Sequence, residues 1–477
     1  MIQAQTEKYK LYSPSMLFDV IAVACLVSMS LIWNRAEGVF AVSVLLPLAW
    51  RLKGSDFRTL FVRRLPSLLM FYAFITYFLI QTFIANPLSV TEMGLIDSQQ
   101  GYLLNLAIIY CVAFLSFQTS KTMPFVVRFF LPVLLALCSV FMAYYSYTQQ
   151  GCRALMFFST SPYIPSYIFG GLSLLTFVNW RMFTKAERLL RYYLLTVAVF
   201  LCLGPFGSRG ILLALIVATS LLVIVSIWRR DHLVPNGVLL IFSCILGSLG
   251  AFGYLFIKGC VGMLDRYQDY FSLLEENIQL IGLITCTGII AGWLYIKYWR
   301  GEKFKVTSQF LTMTFIFVLM LCLFCTTFFN LQELNPAQSF GDDSNKHRAL
   351  MWTGALSAVK GNIWFGLGAF GESFVLDSHE LLGDAAGLYT AVHSQVLTWL
   401  TIGGLVGVGL ASFAMVSPFL FAKNNKNPDI SVALICGPAF FLAATATESI
   451  SARPALLYFM VIVILLSATL IDKEDSC

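Results

Sequence analysis

Residues 237–257 read GVLLIFSCILGSLGAFGYLFI, without one charged side chain. A helix of this length, rising about 1.5 Å per residue, covers the roughly 30 Å hydrocarbon core of a bilayer. The apolar residues run on continuously and do not alternate. That pattern belongs to a helix, which satisfies its own backbone in lipid, and not to a barrel strand.

Working outward from this stretch, runs of the same kind recur from residue 17 to residue 471. They define spans at about 17–33, 38–50, 67–85, 101–117, 124–147, 162–180, 190–206, 210–228, 237–257, 278–298, 308–330, 393–421, 430–447 and 454–471. The second is short enough to be a half-span. The first lacks the small-residue pattern of a cleavage site, so it reads as a retained span. Of the 477 residues 58% are hydrophobic and 12% charged, against roughly 25% charged in a soluble chain. The fold expected is an all-α polytopic membrane protein of about 12–14 transmembrane helices with one long periplasmic loop.

The charges orient it. With the N-terminus in the cytoplasm, 21 of the 31 Lys and Arg fall in inside segments, nine in outside segments and Arg128 within a span. The outside segments are longer in total yet poorer in positive charge, as the positive-inside rule expects. Both termini then lie in the cytoplasm. Trp33, Trp50, Trp180, Trp228 and Trp299 fall at span ends, where interfacial aromatics belong. The net charge of +6 sits in these short loops. It carries no surface of interleaved basic and aromatic residues, so nucleic acid is not an expected partner.

Residues 331–392 form a loop of about sixty residues on the outside face, while the other loops run to about twenty or fewer. Loops of that length beside a bundle usually serve function. The chain accordingly divides into N-terminal spans (1–189), central spans (190–330), the long loop (331–392) and C-terminal spans (393–477). Most cysteines lie within spans as small apolar residues, and Cys322-Leu-Phe-Cys325 is mid-span, away from redox chemistry. Cys152 and Cys260 are the two predicted outside, in an oxidising compartment, where a disulfide between them is an open reading.

Four stretches carry the chemistry. Gly204-Pro-Phe-Gly-Ser-Arg-Gly210 turns between two spans and puts Ser208 and Arg209 beside a helix start, a good place for an anion. The bland reading is an arginine reaching to lipid headgroups. In Gly341-Asp-Asp-Ser-Asn-Lys-His-Arg-Ala-Leu-Met-Trp352, Lys346, His347 and Arg348 crowd the start of an amphipathic helix. Cations there oppose the helix dipole, which invites a compensating phosphate; otherwise they are a solvated cluster. Asn362-Ile-Trp-Phe-Gly-Leu-Gly-Ala-Phe-Gly371 predicts a tight bend under a ligand or against the bundle. Finally, His393-Ser394 opens a span containing Gly403, Gly404 and Gly407. Leu400 and Gly404 share a helical face with His393, so the histidine is expected to point into the bundle as a base or as a buried structural group. His347, His379 and His393 are too scattered for metal-ligand spacing, and no metal site is expected.

The order of these motifs resembles the O-antigen ligase and O-antigen polymerase superfamily of bacterial envelopes. A Ser-Arg-Gly turn opens a span, a long outside loop carries Arg-x-x-x-Trp and Gly-Leu-Gly, and a His-Ser pair begins a Gly-rich span. The likeness covers roughly residues 190–421. It implies an inner-membrane glycosyltransferase, needing no cofactor, ATP or metal. Such an enzyme moves a glycan from undecaprenyl diphosphate to an acceptor hydroxyl in the periplasm. The partners implied are that donor, membrane lipid, and lipid A–core or a second lipid-linked repeat unit as acceptor. Arg209 and Arg348 would hold the diphosphate and His393 would be the base. Ser208, Lys346, His347, Arg266 and Ser394 are secondary candidates. Two departures stand out: the family's Pro before Gly-x-Gly is replaced by Trp364-Phe365, and its His-Asn reads His393-Ser394. About fourteen spans, where ligases have about twelve, lean toward a polymerase. A transporter or flippase is the alternative from another class, disfavoured by the absence of paired repeats and of helix breaks in the reading above. A glycosidase reading would rest on Glu372, Asp377, Glu380 and Asp384, which nothing pairs.

Overall fold

The computed structural model describes residues 14–28, 56–85, 99–149, 163–229, 234–260, 343–368, 392, 394–421, 429–447 and 454–472. Expected spans 38–50, 278–298 and 308–330 lie outside them, as do Arg266, residues 369–391 of the long loop, and His393. The side chains of Arg209, Lys346, His347 and Arg348 are likewise outside.

Among the described residues every regular element is helical: α1 (Pro14–Ser28), α2 (Asp56–Ala85), α3 (Gln99–Thr119), α4 (Met123–Thr148), α5 (Tyr163–Leu175), α6 (Lys185–Leu203), α7 (Arg209–Arg229), α8 (Gly237–Ile257), α9 (Asp343–Val359), α10 (Gln395–Leu420), α11 (Ile430–Leu434), α12 (Phe440–Thr447) and α13 (Pro454–Asp472). A π-helical turn, Ile435–Ala439, joins α11 to α12. Pro438 within it has no N–H to give, which is a common cause of such local widening. Four described helices are long and apolar enough to cross a membrane: the Arg64–Gln81 part of α2, then α4, α8 and α10; six shorter apolar helices accompany them. The protein is an all-α polytopic membrane protein.

Local signals set the helix starts. Thr184 and Glu187 close a capping box at α6, each accepting from the other's backbone N–H. Asn236 accepts from Val238 and Leu239 at α8, and Ser394 accepts from Leu397 at α10. Small residues set close approaches. A Cβ on Gly247 of α8 would stand 2.5 Å from the Thr196 carbonyl of α6, so only glycine allows this contact.

The hydrogen bonds between helices sort the bundle into two ends. At one, the buried Arg64 donates to the Phe421 carbonyl (2.9 Å) and to Gln118 (3.0 Å). Gln118 donates to Thr469, and Asn179 donates to the next carbonyl, Leu470. Nearby on the chain, Arg191 takes the Thr176, Glu187 and Arg128 carbonyls while Arg128 pairs with Glu187 through two bonds. This arginine end therefore holds the starts of α4 and α6 and the finishes of α3, α10 and α13. At the far end, Tyr254 donates to the Ser146 carbonyl (3.0 Å) and Lys258 to that of Gln149 (2.7 Å), tying the finish of α8 to the finish of α4. Cys260 is disulfide-bonded there, and its partner lies outside the described residues.

Candidate functional site

The Ser-Arg-Gly turn folds back on the helix it leaves. The amides of Gly204, Phe206 and Ser208 donate to the carbonyls of Phe200, Leu201 and Cys202. Gly207 supplies the positive φ of 55° that the reversal needs. Phe206 is fully buried and Ser208 nearly so. The Ser208 carbonyl accepts from Leu212 (3.0 Å), and Arg209 is the first residue of α7. The first amides of α7, which have no partner within their own helix, thus open at the far end of the bundle.

Helix α9 is amphipathic as its sequence predicts. Met351, Ala355 and Val359 are buried against Val392, Leu397 and Leu400, and the Trp352 indole donates to the Val392 carbonyl at 3.0 Å. The helix already contains Asp343, so Lys346, His347 and Arg348 occupy its fourth to sixth positions.

Beyond a short 3₁₀ turn, Lys360–Asn362, residues 363–368 lie as a strap across α10. There α10 is broken: Gly404 has φ 63° and ψ −163°, outside any helical region. The strap fills the gap with backbone. Leu367 and Gly368 donate to Thr401 (2.7 Å) and Ile402 (3.0 Å), while Leu405 and Val406 donate to Ile363 (2.8 Å) and Trp364 (3.1 Å). Tyr77 of α2 caps the Gly403 carbonyl at 2.7 Å. Gly366 and Gly368, with φ of 74° and 78°, form the expected tight bend, and it packs against the bundle.

Two expectations change here. Leu400 and Gly404 do not share one continuous helical face, because α10, which starts at Gln395 with Ser394 as its cap, is interrupted at Gly404. The part of that expectation that concerns His393 lies outside the described residues. The absence of a helix break, used against a transporter, also fails. This break, however, has its carbonyls and amides taken by the strap and Tyr77, so those groups do not offer the open half-helix ends that hold ions in transporters.

The topology brings the candidate motifs to one end. Helix α10 finishes at the arginine end, so Ser394 and the start of α10 lie at the far end, with α9 packed on them. Helix α6 starts at the arginine end, so the turn and the start of α7 lie at the far end as well. The backbone positions of Arg209, Arg348 and Ser394 share that end. Ser394 itself is almost fully buried, as are Gln395, Thr398 and Thr401 below it.

Four buried or paired ionisable groups escaped the sequence reading, all in or beside helices near the arginine end. Asp19 is fully buried and accepts from Ser120 and Thr122. Arg191 is fully buried, with Phe183 stacked 3.4 Å from its guanidinium carbon. Arg181 lies 3.6 Å from the buried Asp429. Asp19 carried a legible signal, as a lone acid within an apolar run. Among the described residues no group of three or more His, Cys, Asp or Glu is placed to hold a metal ion.

Taken as a class, this is a bundle of membrane helices in which the starts of α7 and α10 lie at one end and a strap from the long loop fills a break within α10. Residues 277–412 match the family model described as O-antigen ligase. The match spans less than a third of the chain and includes α9, the strap and the first part of α10, so that segment is similar to the O-antigen ligase family. No curated protein matches the chain.

Proposed function

We propose that the protein transfers a glycan from undecaprenyl diphosphate to an acceptor hydroxyl on the periplasmic side of the inner membrane, as an O-antigen ligase acting on lipid A–core. The observation that carries this reading is the shared end. The backbone of Arg209, that of Arg348 and the residues flanking His393 come from three separate parts of the chain and lie toward the same end of the bundle, two of the three within the segment that matches the ligase family.

The chemistry asks little else. The acceptor oxygen attacks the anomeric carbon, the bond from that carbon to the phosphate oxygen breaks, and undecaprenyl diphosphate leaves with the bonding pair. His393 takes the acceptor proton. Arg209 and Arg348 neutralise the charge growing on the diphosphate, with the guanidinium fork matching two phosphate oxygens. Ser208, Lys346, His347, Arg266 and Ser394 are the secondary contacts of this reading. The replacement of the family's asparagine by Ser394 leaves the base in place, and in this fold the serine caps α10.

His393→Ala should abolish transfer while donor binding and expression persist, since a base acts mainly in the transition state. Arg209→Lys and Arg348→Lys should both bind donor poorly. A fully active His393→Ala variant would falsify the base assignment. The polymerase reading is favoured by the expected fourteen spans. Gel analysis of lipopolysaccharide from a deletion strain separates the two: loss of all O-antigen from the core marks a ligase, and retention of one repeat unit marks a polymerase.

A further inference from the structure

The strap at residues 363–368 belongs by sequence to an outside loop, yet it pairs with α10 below the start of that helix. Gly403 is eight residues inside α10, about 12 Å along its axis, and Tyr77 is four residues, about 6 Å, inside the apolar end of α2. The contact therefore sits within both candidate spans, roughly 6–12 Å below the far surface.

At that level the strap turns its side chains outward. Ile363 is 43% exposed, Trp364 63% and Phe365 61%. They continue a stripe on α10, Leu405, Gly409, Phe413 and Leu420, whose members four or seven residues apart are exposed on one face of an apolar span. The amide of Leu405 bonds to Ile363 itself, so stripe and strap are one surface. Lys360, Gly361 and Asn362, also exposed, lead into the strap. A basic residue followed by an aromatic pair is the composition of an interfacial anchor. Four backbone groups of the strap are satisfied by the helix gap and the amides of Phe365 and Gly366 by the Asn362 carbonyl, which favours non-helical backbone at this depth.

We infer that Ile363, Trp364 and Phe365 form a wedge inserted among the acyl chains of the outer leaflet, with Lys360 at headgroup level. The occupant of this surface is bilayer lipid. The long loop is then pinned to the membrane at its middle, between α9 and the start of α10. The inference stands independently of the glycan transferred.

The full-length protein, reconstituted in phosphatidylethanolamine–phosphatidylglycerol vesicles, tests it by tryptophan quenching. The emission that Trp364→Phe removes from the wild-type spectrum belongs to Trp364. Lipids brominated in the upper part of the acyl chain should quench that component at least twofold more than aqueous iodide does. Moving the reporter one residue, in a Trp364→Phe, Phe365→Trp double variant, should give the same preference and guards against a silent first site. Stronger quenching by iodide in both would overturn the wedge, placing the strap in water. Quenching by neither agent would overturn it too, because protein would then cover the rings.

Discussion

Arg191 shows how a charge is kept inside a membrane bundle. It lies within a helix that continues into an apolar run, it is fully buried, and its guanidinium spends its donors on three carbonyls from two helices and a turn. Arg191→Met should leave the Thr176 and Arg128 carbonyls without the guanidinium donor, at roughly 1–3 kcal/mol for each one kept from water. A markedly lower unfolding temperature in detergent is the expected result, and an unchanged one would count against the network. Gly404 is the second residue of consequence. Its φ and ψ belong to a region open essentially to glycine, where another residue costs on the order of 1–3 kcal/mol. An added Cβ would also stand 2.3 Å from the Trp364 carbonyl. Gly404→Ala should therefore expel the strap and expose residues 360–368 to limited proteolysis; a protected strap in that variant would argue against the docking. The sequence shows the glycines plainly. Their reading as helix-packing residues suits Gly403 and Gly407, which face Tyr77 and Phe78, and misses Gly404, because a broken and an intact helix share the same composition.

Element boundaries follow hydropathy where nothing polar intervenes. Helix α8 matches its apolar run end to end, and α3, α4, α7 and α13 agree within a few residues. Departures have local causes. Helix α2 begins eleven residues before its apolar run, because Arg58, Arg63 and Arg64 are good helix formers that continue it beyond the apolar stretch. Helix α5 stops at Leu175, short of the expected 180, where Asn179 turns with φ 64° and Arg191 takes the Thr176 carbonyl. The α4–α8 pair supports a covalent prediction. Lys258 bonds to the carbonyl of Gln149, three residues before Cys152, and Cys260 is disulfide-bonded. Peptide mapping without reductant should find Cys152 linked to Cys260. Recovery of Cys152 alkylated as a free thiol, or of Cys260 joined to another cysteine, would reject that pairing.

For the whole molecule, sidedness is the prediction with most at stake. Cysteine labelling should reach residues 331–392 from the periplasm and the 297–305 loop from the cytoplasm; labelling of both from one side would overturn the span order. Transfer should also persist in EDTA, with the arginines as the neutralising groups. Activity lost with EDTA and restored by magnesium or manganese would assign that role to a metal. By itself the sequence determined the solvent, the secondary structure and the likeness to the O-antigen ligase family over residues 277–412. Bilayer thickness and backbone satisfaction leave continuous apolar runs no alternative to helices, and the motif order needs no coordinates to be read. Only the tertiary structure decided which helix starts share an end, that α10 is broken, and that the strap closes the break. These depend on hydrogen bonds between residues hundreds of positions apart, such as Arg64 with Phe421 and Tyr77 with Gly403, and no local pattern encodes a partner at that distance.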